Sequence, residues 1–85
     1  MNVTRAEVSR NASSQEQEMI LYTVFEKDFN ARLILKAFDK NHKEIGRSAV
    51  SVQEQSDSSR FVGLPFDSRT SFSLIQYFIL EHRSN

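Results

Sequence analysis

The sequence contains no cysteine, and this absence removes three kinds of chemistry at once. No disulfide can cross-link the fold, no thiolate can act as a nucleophile, and no cysteine-bound zinc site can form. A hydrophobic core must therefore stabilise the chain, and 85 residues are enough for one such core but too few for two. We expect a single domain over residues 1–85.

An excess of charge of one sign and a long apolar run are also absent. Eleven Lys and Arg residues balance eleven Asp and Glu residues, so no overall field attracts nucleic acid. No segment approaches the run of about 20 apolar residues that a membrane-spanning helix needs, and residues 1–17 are too polar for a signal peptide. Both a cytosolic chain and a mature part of a longer bacterial extracytoplasmic protein fit these features.

Glycine and proline are scarce, with two Gly and one Pro in the chain, so polar clusters must supply most of the breaks. Three such clusters occupy residues 9–18, 39–44 and 53–60. The apolar segments between them predict six strands, at residues 2–8, 19–25, 31–37, 45–52, 61–64 and 71–81. Six strands are enough for two small sheets packed face to face. The predicted fold is an all-β, immunoglobulin-like antiparallel sandwich.

The pattern is clearest on either side of the polar cluster at 39–44. Leu33 and Leu35 alternate with Arg32, Ile34 and Lys36 before this cluster. Val50 and Val52 share one face of the strand after it. The two segments predict a hairpin. His42 stands in the turn where glycine would be the easier residue, which indicates a longer loop or a bulge.

Residues 19–25 are apolar on both faces of a strand, which is typical of a central strand covered on both sides. The alternative is a helix near residues 14–27, because Ser13 and Glu16 match a capping box and the following apolar residues would form a helical stripe. That helix would change the fold to α+β. The segment 71–81 is predicted as an interior strand, and Pro65 indicates a strand end or an edge.

Catalytic signals are weak in this chain. The histidines, His42 and His82, fall in a predicted turn and near the C-terminus, where neither is well placed beside a nucleophile. Gly46 and Gly63 are isolated, so no glycine-rich phosphate loop is present. We expect no enzyme and no cofactor.

A calcium loop is the closest metal-site pattern. Asp39-Lys40-Asn41 resembles the start of one, but Glu44 occupies the sixth position, where glycine is required, and Val50 occupies the twelfth, where glutamate is required. We therefore predict no metal site.

Two groups of residues are candidates for binding a partner. The first is a cationic patch along the predicted hairpin, although basic residues of this kind also protect sheet edges from unwanted pairing. The second is a pair of phenylalanines that would anchor a partner at the surface, with burial in the core as the alternative. The cationic patch comprises Lys36, Lys40, Lys43 and Arg47. The phenylalanines are Phe29, in a predicted loop, and Phe66, which follows Pro65.

The segment 33–48 reads LILKAFDKNHKEIGRS and resembles the central hairpin of FxLYD-type domains, which are small bacterial immunoglobulin-like sandwiches. The resemblance lies in a strand that ends in Phe38-Asp39, a turn, and the pair Ile45-Gly46. It implies an extracytoplasmic accessory module without catalysis. The same stretch also looks like the later strands of calcium- and lipid-binding C-two domains. Because their paired-aspartate loops are not visible here, that resemblance implies calcium-independent docking on a membrane surface.

The sequence therefore predicts a non-enzymatic module that binds a protein partner, or acts as a scaffold, through a sheet face or edge. The alternative is a lipid-surface-binding domain that docks through the hairpin lysines. A small enzyme is the third hypothesis, and no set of residues supports it. The sequence does not predict an oligomeric state.

Overall fold

A computed structural model describes residues 1–10, 17–67 and 69–84 of the chain. These residues form six strands in chain order, together with one turn of 3-10 helix at Phe72–Leu74. The strands are β1 (Asn2–Arg10), β2 (Gln17–Phe25), β3 (Phe29–Phe38), β4 (Glu44–Glu54), β5 (Ser58–Phe66) and β6 (Tyr77–Ser84). The predicted all-β fold of about six strands is confirmed.

The strands form two antiparallel three-stranded sheets. Sheet I has the order β1-β2-β5, and sheet II has the order β4-β3-β6. Side chains alternate between the faces of each strand, so each sheet turns one apolar face inward. The inward faces of both sheets meet in one core of Met19, Leu21, Phe25, Leu33, Leu35, Ala37, Val52, Val62, Leu64 and Phe66. The protein is therefore a small β-sandwich.

The predicted strand at residues 19–25 is confirmed, and the alternative helix near residues 14–27 is wrong for residues 17–25, which form β2. This strand lies at the centre of sheet I, where β1 pairs with it on one side and β5 on the other. The capping-box residues Ser13 and Glu16 lie outside the described residues. Strand β2 buries Thr23 among apolar neighbours, and the Thr23 hydroxyl donates to the Leu21 carbonyl oxygen at 3.4 Å. Among the described residues, no helix is long and apolar enough to span a membrane.

The predicted hairpin is confirmed, because β3 and β4 pair along their lengths with a bulge next to Ala37. His42 has a φ of 62°, in the left-handed region where glycine is the easier residue. The carboxylate of Asp39 fixes the turn, since its Oδ1 accepts hydrogen bonds from the backbone N–H of Asn41 and of Lys43 at 2.8 and 3.0 Å. Short polar side chains of this kind stabilise turns that lack glycine.

The prediction of an interior strand at residues 71–81 is wrong. The strand begins at Tyr77 and lies at the edge of sheet II, while Phe72–Leu74 forms the 3-10 helix. The backbone N–H of Gln76 donates to the Phe38 carbonyl oxygen at 2.8 Å and leads the chain into β6. Phe72 packs against Phe66, with ring centroids 5.4 Å apart, so the apolar residues before β6 cover the end of the core. Pro65 lies in an edge strand, as predicted.

Candidate binding surfaces

The outer face of sheet I is the face that points away from sheet II, and its centre is apolar. Strand β2 turns Met19, Leu21, Thr23 and Phe25 inward, so Ile20, Tyr22 and Val24 point outward. The register with β5 places Phe61 directly opposite Tyr22. We call the four residues Ile20, Tyr22, Val24 and Phe61 the Tyr22–Phe61 face. The sequence predicts that both faces of β2 are covered. Sheet II covers the inner face, whereas the residues on the outer face are half-buried.

An aromatic pair lies at the centre of this face. The rings of Tyr22 and Phe61 pack edge to face with their centroids 5.0 Å apart, and 56% of Phe61 is exposed. The Tyr22 hydroxyl donates to Ser59 Oγ at 3.1 Å, which fixes the orientation of its ring. A large aromatic side chain with that much exposure is typical of a binding anchor.

A bulge in β1 forms one wall of a shallow depression beside the aromatic pair. The register between β1 and β2 shifts between Val3 and Arg5, and the Thr4 hydroxyl donates to the Tyr22 carbonyl oxygen at 3.3 Å. Thr4, Arg5, Tyr22 and Phe61 line the depression, which has a volume of about 310 Å³. Arginine and tyrosine around an exposed phenylalanine match the composition that is enriched in protein interfaces.

The outer face of sheet II carries charged side chains around apolar ones, among them the buried Ile34 and the exposed Ile79. The register places Lys36 directly opposite Arg47 and Arg32 directly opposite Arg83. Lys36 Nζ lies 2.9 Å from Glu81 Oε1, and Arg47 donates to both carboxylate oxygens of Glu44 at 2.9 and 3.1 Å. Carboxylates therefore neutralise part of the positive charge on this face.

Hydrogen bonds to cations lower the pKa of both carboxylates. The hydrogen bond from Lys36 is the main reason that the pKa of Glu81 lies below its usual value, and the hydrogen bond from Arg47 does the same for the pKa of Glu44. The folded state thus favours the ionised form of each group. The stability that this provides is present above the ordinary carboxyl pKa and is lost as the pH falls through the lowered one.

Replacing Lys36 with glutamine is expected to raise the pKa of Glu81 toward its ordinary value of 4.5, because the largest stabilisation of the ionised form is removed. An NMR titration of the Glu81 carboxyl group in the wild type and in Lys36→Gln measures this. Glu44 is the control, since Arg47 is the main cause of its lowered pKa and Lys36 contributes least. An unchanged titration midpoint for Glu81 would contradict the assignment.

The four predicted cationic residues do lie along one hairpin. Lys36 and Arg47 are on the outer face of sheet II, and Lys40 and Lys43 are exposed in the turn. The sequence prediction missed Arg32 and Arg83, which belong to the same face. Arg32 alternates with the buried Leu33, a signal that places it outside the core, but nothing in the sequence shows that β6 brings Arg83 beside it.

The prediction that Phe66 is a surface anchor is wrong, because its side chain is 1% exposed and lies in the core. The loop position predicted for Phe29 is also wrong, since this residue begins β3. Phe29 is half-buried, and its ring centroid lies 5.3 Å from that of Phe25 and 5.9 Å from that of His82. Only its remaining exposed part faces an open groove of about 630 Å³, lined by Asp28, Phe29, Asn30, Gln53, Glu54 and Gln55.

The histidines lie apart, on different strands or turns. His42 Nδ1 lies 2.9 Å from the Tyr77 hydroxyl oxygen, and the Tyr77 ring stacks on Phe38 at a centroid distance of 5.1 Å. His82 is exposed beside Phe29. Within the described part of the chain, no cluster of His, Cys, Asp or Glu could hold a metal ion.

Comparison with known proteins adds no assignment: no family model, no curated protein and no solved structure matches this chain.

Proposed function

We propose that this protein is a non-enzymatic binding module that holds a partner protein against the Tyr22–Phe61 face of sheet I. The observation that carries the proposal is the apolar outer side of β2. This central strand has Ile20, Tyr22 and Val24 on a face over which the described chain places no second layer. Apolar residues at the centre of an uncovered sheet face are typical of an interaction surface.

The gain from covering this face is hydrophobic. Burial of apolar surface contributes about 25 cal/mol for each Å² removed from water. Phe61 is the largest exposed side chain on the face, and Tyr22 supports its ring from the neighbouring strand, so the aromatic pair is already ordered before binding. A rigid aromatic side chain loses little conformational entropy on binding, which makes the pair suitable as a hot spot.

Arg5 contributes the polar part of the surface. It lies opposite Tyr22 on β1 and lines the depression beside Phe61. Its guanidinium can donate several hydrogen bonds at the rim of an interface or stack on an aromatic ring. The resemblance to FxLYD-type modules implies an accessory role without catalysis and agrees with the proposal. That resemblance and the immunoglobulin-like assignment stay predictions.

Replacing Phe61 with serine is expected to reduce the amount of captured partner by about tenfold or more, because a hot-spot side chain contributes about 2 kcal/mol or more to binding. The measurement is affinity capture from a lysate of the source organism with wild-type and variant baits, followed by quantitative mass spectrometry. Leu74→Ser is the matched control. Leu74 is 61% exposed and lies in the 3-10 helix, away from the face.

Both variants should melt close to the wild-type temperature, since neither side chain belongs to the core. A partner that binds Phe61→Ser as well as it binds the wild type would contradict the proposed site. A partner lost equally in Leu74→Ser would contradict it too, because the effect would then follow the loss of any exposed apolar residue.

A further inference from the structure

Two pairs of like charges stand directly opposite each other on the outer face of sheet II. Arg32 of β3 faces Arg83 of β6, and Lys36 of β3 faces Arg47 of β4. Directly opposed residues in an antiparallel sheet have their Cβ atoms about 5 Å apart, and like charges at that distance destabilise the pairing. A nearby opposite charge reduces this destabilisation.

The chain compensates one pair and leaves the other nearly uncompensated. Glu81 contacts Lys36 at 2.9 Å, and Glu44 contacts Arg47 at the same distance. Arg32 forms no ion pair with any residue that the structure describes. Among the same residues, the carboxylate oxygen nearest to the Arg83 guanidinium is Glu81 Oε2, at 4.0 Å. Two exposed guanidinium groups therefore share less than one carboxylate.

The surroundings of this arginine pair are also positive. The outer face of sheet II and its hairpin turn carry six basic residues against three acidic ones, a net charge of +3, while the whole chain is neutral. The basic residues are Arg32, Lys36, Lys40, Lys43, Arg47 and Arg83, and the acidic ones are Asp39, Glu44 and Glu81. The rest of the chain accordingly carries −3. The charge is thus concentrated on one side of a neutral molecule.

We propose that Arg32 and Arg83 bind a carboxylate of an acidic, extended segment of a partner protein. Arginine recognises carboxylates through two parallel hydrogen bonds, and two arginines at cross-strand distance can hold one carboxylate between them. Successive residues of an extended segment advance by about 3.3 Å. A segment that runs from the arginine pair toward the hairpin turn would pass Lys36 and Arg47, and its further acidic side chains would then reach Lys40 and Lys43.

A peptide fits this face better than an anionic membrane does. Glu81 and Glu44 lie among the basic residues and are held in their ionised forms. A continuous layer of lipid phosphates would approach these carboxylates and be repelled by them, whereas spaced carboxylates on a peptide can avoid them. The site lies on the opposite sheet from the Tyr22–Phe61 face, and the two proposals can fail separately.

The test uses a fluorescently labelled oligoglutamate peptide and the full chain, with binding measured by fluorescence anisotropy at low ionic strength. We expect saturable binding that weakens as salt is added. Arg32→Gln and Arg83→Gln should each weaken it by about threefold or more, as expected for the loss of a charge-assisted hydrogen bond at the surface. Both variants should fold normally, because each substitution removes a like-charge repulsion.

Arg60→Gln is the matched control, since it makes the same change in net charge on an exposed residue of β5, in sheet I. This variant should bind oligoglutamate like the wild type. Equal weakening in Arg60→Gln would overturn the proposal, because binding would then depend on net charge alone. Absence of binding to oligoglutamate would also overturn it. Binding to vesicles that contain phosphatidylserine, without binding to oligoglutamate, would overturn the proposal and indicate that this face binds a membrane surface.

Discussion

Replacing Phe66 with alanine is expected to lower the free energy of unfolding by about 3–5 kcal/mol, because it leaves a cavity in the core. The Phe66 ring is 1% exposed and lies within 5.4 Å of the Phe72 ring and 6.0 Å of the Phe78 ring, measured between centroids. A loss of that size is a large part of the total stability of a small domain, which is about 5–15 kcal/mol. Chemical denaturation followed by circular dichroism measures the change.

Phe61→Ala is the control for Phe66→Ala, since both residues are phenylalanines of β5 that point to opposite faces. Phe61 is mostly exposed, so we expect its loss to change the stability by about 1 kcal/mol or less. Similar losses in the two variants would contradict the sandwich, because sheet II and the segment before β6 cover one side of β5 and not the other.

Replacing Gly46 with alanine is expected to lower the free energy of unfolding by about 1–2 kcal/mol, because the added methyl group overpacks the site. The lower conformational entropy of the unfolded chain offsets a smaller part of this loss. A Cβ atom at Gly46 would lie 2.7 Å from Thr70 Cγ2 and 3.3 Å from Phe66 Cδ1. Neither neighbour can move easily, because threonine is branched at Cβ and Phe66 is enclosed in the core. Thermal and denaturant unfolding of the variant measure the effect.

A double-mutant cycle identifies the contact responsible. Thr70→Ser removes the nearest methyl group, so Gly46→Ala should have a smaller effect in that background. Gly63→Ala provides the control, because its Cβ would meet the carboxylate of Glu18, the far end of a flexible side chain that can move away. An equal loss of stability in Gly46→Ala and Gly63→Ala would contradict the close packing of Thr70 and Phe66 against the start of β4.

The strand pattern was predictable because it depends on local alternation. Leu33 and Leu35 share the inner face of β3, and Arg32 and Lys36 lie on its outer face. Asp39 and His42 form the turn that their polar side chains predict. The burial of Phe66 was also encoded, since Val62, Leu64 and Phe66 share one face of β5. Pro65 obscured that pattern by suggesting that the strand ends before Phe66.

The binding surfaces needed information that a strand pattern does not carry. Apolar residues on both sides of β2 predict two covered faces, but the pattern does not say whether the second cover comes from the same chain. The opposition of Arg32 and Arg83 depends on the register between β3 and β6, whose paired residues lie 39 to 53 positions apart in the chain. Tertiary pairing of this kind cannot be deduced from either segment alone.

Photo-cross-linking from position 61 tests the central claim most directly. Phe61 is replaced by benzoylphenylalanine, which keeps an aromatic ring on the Tyr22–Phe61 face, and a second variant carries the same group at the exposed position of Leu74. Both proteins are irradiated in a lysate of the source organism. We predict a discrete cross-linked protein partner from position 61 that is absent from position 74. No adduct at position 61, or the same adducts from both positions, would contradict the account.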